Sequence, residues 1–156
     1  MNYIGPKVHI DLTQLVKNYH LLSNEVGNIP IMATVKANAY GHGSVEVSKA
    51  LEKEGVRYLA VFTIEEGIEL REAGVKSDIL LYSKLNPHGI DSAIKHKLTL
   101  NISSFDDLEI LKRYNVQEHM LRILRSGMYM HAMRKCRRSL ISMSDSRAHI
   151  HMFRQV

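Results

Sequence analysis

Nine consecutive residues, Val35-Lys36-Ala37-Asn38-Ala39-Tyr40-Gly41-His42-Gly43, hold the side chains best suited to chemistry. Lys36 ends an apolar run, Ile29 to Val35, and a turn of small residues follows it. A lysine at a strand end is ordinarily a solvated residue whose stem lies along apolar surface. Its sharper use is nucleophilic. Burial there would destabilise the ammonium, lower its pKa and free the amine to condense with an aldehyde. Tyr40, within one turn, offers a phenol to a phosphate or a substrate. Gly41 and Gly43 let backbone N–H groups approach a ligand closely.

Other chemistries find little support. His9, His20, His42, His88 and His96 show no metal-ligand spacing, and only His42 falls near Lys36, so no metal site is expected. Neither a dinucleotide-binding glycine pattern, a Walker A loop nor a serine nucleophile elbow is present. Glu65, Glu66, Glu69 and Glu72 read as the solvated face of a helix whose other side carries Ile64, Ile68 and Leu70.

The elements that would position Lys36 follow a rhythm. Val8 to Leu12 alternates like a short strand, and Thr13 can cap a helix bearing Leu15, Val16, Tyr19 and Leu22, closed near Gly27. Ile29–Val35 reads as a buried strand, after which Ser44 caps a helix ending at Gly55. Tyr58–Phe62 is the next strand, and Thr63 with Glu66 makes a capping box for a helix ending at Gly74. Asp78–Tyr82 is followed by a helix opened by Asn86-Pro87, and Thr99–Ile102 by one opened by Ser104 with Asp107. Four strand-then-helix units at a spacing of about twenty residues imply a parallel α/β sheet covered by helices. The pattern does not choose between a barrel and a doubly wound sheet. At a strand's C-terminal end Lys36 would lie on the active face of either one.

At Gln117 the composition breaks. Residues 1–116 carry 13 Lys/Arg against 14 Asp/Glu, whereas residues 117–156 carry 8 against 2 and six of the eight methionines. The basic excess behind the net charge of +5 therefore sits in the last forty residues. Leu121–Leu124 could be a fifth strand, but no capped helix or clean alternation follows Tyr129, and the expectation is a poorly ordered basic tail. Clustered Lys/Arg attracts phosphates, yet the tail has few interleaved aromatics and no nucleic-acid-binding motif, so no nucleic-acid partner is expected. No apolar run of transmembrane length and no signal peptide is seen, so no membrane partner is expected. One cysteine, Cys136, fits a reducing cytoplasm.

The segment Val35 to Gly43 resembles the pyridoxal-phosphate attachment motif of the alanine racemase family. Its flanks agree: Ile10-Asp11-Leu12 with Asn18 resembles the family's opening, Glu65 to Gly74 its second helix, and Asp78 to Leu81 its next strand. The resemblance covers residues 3–116. It implies a (β/α)8 TIM-type barrel, here partial with about four βα units, followed by the atypical tail. It implies that Lys36 holds pyridoxal 5'-phosphate and acts on the Cα proton of D-alanine, and that Tyr40 contacts the cofactor phosphate. The substrate would then be alanine, interconverted between its L and D forms to supply D-alanine for the cell wall. The alternatives are a serine or broad-specificity racemase and a non-catalytic remnant that binds the cofactor. Tyr82 stands where the family usually has a leucine, and Arg125-Ser126-Gly127-Met128 where it has an Asp-Thr-Gly-Met segment. In the full-length family the opposite-face base is a tyrosine from the C-terminal domain of a partner subunit in a homodimer. The expectation is a chain of two parts: residues 1–116, the N-terminal part of the barrel, and residues 117–156, a tail of frameshifted origin. In isolation it would be aggregation-prone and without racemase activity.

Overall fold

The computed structural model describes residues 7–27, 29–114, 116 and 121–123, the last three by backbone pairing. Strands β1 (Met32–Thr34), β2 (Tyr58–Val61), β3 (Asp78–Leu81), β4 (Thr99–Ile102) and β5 (Leu121–Ile123) form one sheet. They lie side by side in chain order and every pair is parallel. Helices α1 (Leu12–Val26), α2 (Lys36–Gly41), α3 (Ser44–Lys53), α4 (Ile64–Glu72), α5 (Ile90–Lys95) and α6 (Phe105–Leu111) precede or connect them, with a 3-10 turn over Pro87–Gly89. A doubly wound sheet reverses its strand order at a switch point. The unbroken order here is that of consecutive barrel staves, which decides the choice that the pattern left open.

Period-two alternation sorts the strand residues. Leu59, Val61, Ile79, Leu81, Leu100 and Ile102 share one buried cluster with Val47, Leu51, Leu70, Ile90, Ala93, Leu108 and Leu111 of the helices. Gly67 lets α4 settle on this layer: a Cβ there would stand 2.8 Å from Leu98 Cδ1. On the rim that precedes the strands, the Arg71 guanidinium donates to the carbonyls of Val75, Ser77, His96 and Lys97. Burial pulls its pKa down, against the opposing pull of Asp78 and Glu52.

Both capping boxes are present, Thr63 with Glu66 and Ser104 with Asp107, and Asn86 accepts from the His88 N–H as an N-cap should. Several boundaries differ from expectation. No strand covers Val8–Leu12; Asp11, not Thr13, caps α1 by accepting from the Gln14 N–H. Leu15 and Tyr19 of α1 pack on the core as expected, joined by Leu12, but Leu22 is exposed. β1 is only three residues long and half-exposed, because it has a neighbour on one side alone among the described strands. The fifth strand exists, and it lies beyond the composition break at Gln117. Of the expected tail, residues 117–156, only Leu121–Ile123 is described, and the rest lies outside the described residues.

Candidate active site

Register alone brings the candidate side chains together. Thr34 pairs with Ala60, so Lys36, two residues on, comes level with Phe62. Val61 pairs with Leu81, so Phe62 comes level with Tyr82. The Val35 N–H donates to Ala60 O and the Tyr82 N–H to Val61 O, extending the ladder to this rim. Lys36 Nζ stands 5.4 Å from the Tyr82 ring centroid, 5.7 Å from that of Phe62 and 5.9 Å from that of Tyr40. Phe62 and Tyr82 meet edge to face at 5.4 Å. An ammonium among three ring faces is held by their quadrupoles.

This arrangement corrects the expected electrostatics. Lys36 is not desolvated into a low pKa; its pKa is raised, chiefly by hydrogen bonding with the Tyr82 phenol and by that group's charge, against a lesser opposing effect of burial. The free protein therefore keeps the proton on Nζ at neutral pH.

The turn that carries Lys36 is unusual in hand. Ala37, Asn38, Ala39 and Tyr40 all have positive φ, from 50 to 56°, with ψ from 37 to 50°, so α2 is wound left-handed. For L-residues other than asparagine this conformation costs about 1–2 kcal/mol each, and runs of it are not expected from local preference. Strain of this kind collects where surrounding structure enforces a functional geometry. It aims Tyr40 outward: the side chain is exposed, with its ring still beside Lys36 Nζ.

Gly43 acts differently from expectation. The Gly43 N–H donates to Asn38 O at 2.9 Å and the Ser44 N–H to Asn38 Oδ1 at 2.8 Å. These amides are spent within the turn, and Asn38 supplies the cap of α3 that had been expected from Ser44. His42 Nδ1 lies 2.9 Å from Ala39 O, so this histidine braces the turn as well.

Glu66 is not a solvated helix residue. Its Oε2 accepts from the Phe62 and Thr63 N–H groups, at 2.8 and 3.0 Å, and its Oε1 accepts from the Ala37 N–H at 2.6 Å. Burial pushes its pKa up, but these three N–H donors and the Lys36 charge outweigh it and hold the carboxyl below its ordinary value. Glu69 too has a partner, the Ser44 hydroxyl, at 3.5 Å. Phe62 and Glu66 are the site residues that pattern reading missed. Counting one residue past each strand end would have found Phe62 and Tyr82; the contact between Glu66 and Ala37, 29 residues apart, left no local signal.

The donor set fits pyridoxal phosphate at two of its ends: a primary amine for the aldehyde and an exposed phenol for the phosphate. Among the described residues no cluster of His, Cys, Asp or Glu could hold a metal ion.

The model of the family "Alanine racemase, N-terminal domain" matches residues 10–128. The chain is 37% identical over 114 residues to alanine racemase 1 of Caldanaerobacter subterraneus subsp. tengcongensis, covering 72% of this chain and 29% of that protein. It is 41% identical over 96 residues to the alanine racemase of Staphylococcus carnosus, covering 62% and 25%. Its backbone follows the crystal structure of alanine racemase from E. faecalis with a TM-score of 0.74 at 30% identity, over 86% of this chain and 39% of that one. The chain thus spans less than a third of the length of these two curated relatives.

Proposed function

The chain belongs to the alanine racemase N-terminal-domain family, and from that premise we propose that it serves the interconversion of L- and D-alanine with pyridoxal phosphate. The observation that carries this reading is the placement of Lys36. Its amine stands on the C-terminal rim of a parallel sheet, walled by Tyr40, Phe62 and Tyr82. When bound, the cofactor supplies an electron-withdrawing ring that spreads the charge left when a Cα proton is removed. Lys36 would hold it through Nζ, and the same atom would take and return the proton on its own side of the substrate. The Tyr40 hydroxyl would donate to the phosphate, and Phe62 and Tyr82 would exclude water from the amine's flank.

The wider reading is part of the same proposal: alanine as substrate, D-alanine for the cell wall as product, a cytoplasmic setting and a homodimer whose partner faces Lys36. Among the described residues no helix is long and apolar enough to cross a membrane. The test is incubation of the 156-residue chain with pyridoxal phosphate, borohydride reduction and peptide mass spectrometry, with racemisation of alanine and serine followed in parallel. A reduced adduct on Lys36 supports the reading; labelling spread over surface lysines sinks it. A Lys36 adduct without racemisation is the outcome expected of this chain alone, and racemisation by it would exclude a binding remnant.

A further inference from the structure

A left-handed turn must be held from outside. The N–H groups of Ala39, His42 and Gly43 donate to Val35, Ala39 and Asn38, inside the same segment. Ala37, the residue after the lysine, instead donates across the rim to Glu66 Oε1. The other oxygen of that carboxylate takes the Phe62 and Thr63 N–H groups at the end of β2. One side chain therefore pins the first residue of the strained turn to the strand end whose Phe62 ring flanks the amine.

We propose that Glu66 is the positioning residue of the lysine turn: bridging Ala37 to Phe62 and Thr63, it keeps the Lys36 amine and the Tyr40 hydroxyl in reach of one phosphate-bearing aldehyde. The assignment rests on the functional reading above and deepens it. The chemistry selects glutamate. Both carboxylate oxygens must accept, so an amide would turn an NH2 against an N–H donor. An aspartate, one methylene shorter, would not span from the strand end to the turn. The position also serves as the N3 residue of the capping box, accepting the N-cap amide while its own N–H donates to Thr63 Oγ1 at 3.2 Å. Capping and positioning separate experimentally, because the Thr63 hydroxyl serves the cap alone, whereas the Thr63 N–H that serves the bridge survives Thr63→Ala.

The test compares pyridoxal phosphate with pyridoxal, which lacks the phosphate, on the full 156-residue chain. The readout is the ratio of their attachment constants at Lys36, from absorbance and from the borohydride-fixed adduct. Because both aldehydes meet the same amine, the ratio is blind to any change in the lysine's protonation. A merely structural loss would lower the two constants together. Glu66→Ala and Glu66→Gln are expected to lower the ratio about tenfold, the loss of one charge-assisted contact. Thr63→Ala is expected to leave the ratio at the wild-type value. An unchanged ratio in Glu66→Gln overturns the assignment, and so does an equal fall in Thr63→Ala, which would reduce Glu66 to a cap. Should Glu66→Ala lose its circular-dichroism signal, the Glu66→Gln and Thr63→Ala pair decides alone. A wild-type chain with no adduct on Lys36 overturns the functional reading and this assignment with it; an adduct whose ratio ignores Glu66 overturns this assignment only.

Discussion

The loops after β2 and β4 carry the same device put to different ends. In each, an acidic side chain at the third helical position turns back, and one of its oxygens accepts from two consecutive backbone N–H groups. Glu66 Oε2 takes Phe62 and Thr63; Asp107 Oδ2 takes Ser103 and Ser104. The difference lies in the second oxygen. Glu66 Oε1 crosses to Ala37, whereas Asp107 Oδ1 is buried with no hydrogen-bond partner among the described residues. Asp107 adds instead a local bond from the Ser103 hydroxyl at 2.9 Å. One box closes on itself and stabilises a helix; the other, with one more methylene, fastens the turn that bears the amine.

The comparison can be broken or sharpened at several points. The largest effect is expected from Lys36→Ala, which should abolish the borohydride-fixed adduct, while Ser104→Ala in the self-contained box should retain it. Asp107→Ala removes three local hydrogen bonds and is expected to cost about 1–2 kcal/mol in urea unfolding. The preference for pyridoxal phosphate over pyridoxal should survive that loss. Thr63→Ala and Ser104→Ala should each cost about 1 kcal/mol, equal within error because each removes one cap acceptor. A much larger loss at Thr63 would mean that the two boxes differ as caps too.

Two pH experiments follow from the charges. The Tyr82 phenol is the main cause of the raised Lys36 pKa, so Tyr82→Phe should move the midpoint of amine modification at Lys36 to lower pH. A midpoint that stays put would remove Tyr82 from the account. For Glu66 the folded pKa lies below the ordinary 4.5. Its contribution to stability is therefore complete above 4.5 and fades as pH falls through the folded value. The melting temperature of Glu66→Gln should accordingly fall less than that of wild type on acidification below 4.5. Glu52, lowered in the same direction by the Ser77 and Lys76 N–H groups and the Ser77 hydroxyl against burial, keeps part of the slope in both.

Much of this architecture was legible in the chain because its signals are local. Capping boxes at Thr63 and Ser104, the turn at Asn86-Pro87 and the glycines after α3 and α4 each involve residues a few positions apart. Near-continuous burial on β2, β3 and β4 follows from their apolar runs, the pattern of a parallel sheet covered on both faces. Lys36 and Tyr40 were singled out by their motif, and the structure sets Lys36 Nζ 5.9 Å from the Tyr40 ring centroid. The weak ends were misread for the same reason: Val8–Leu12 alternates, but alternation without a neighbouring strand makes no strand.

By itself, then, the sequence determined the four strand-then-helix units from β1 to α6, the capped starts of α4 and α6, and the amine at the end of β1. Only the tertiary structure decided the rest. Parallel register set Phe62 and Tyr82 beside Lys36, and the Tyr82 phenol raised a pKa that burial was expected to lower. The left-handed run from Ala37 to Tyr40 contradicts the local preference of most of its residues. A conformation that local energies oppose can be enforced only by contacts between distant segments, and the bond from Ala37 to Glu66 is one that no local pattern encodes.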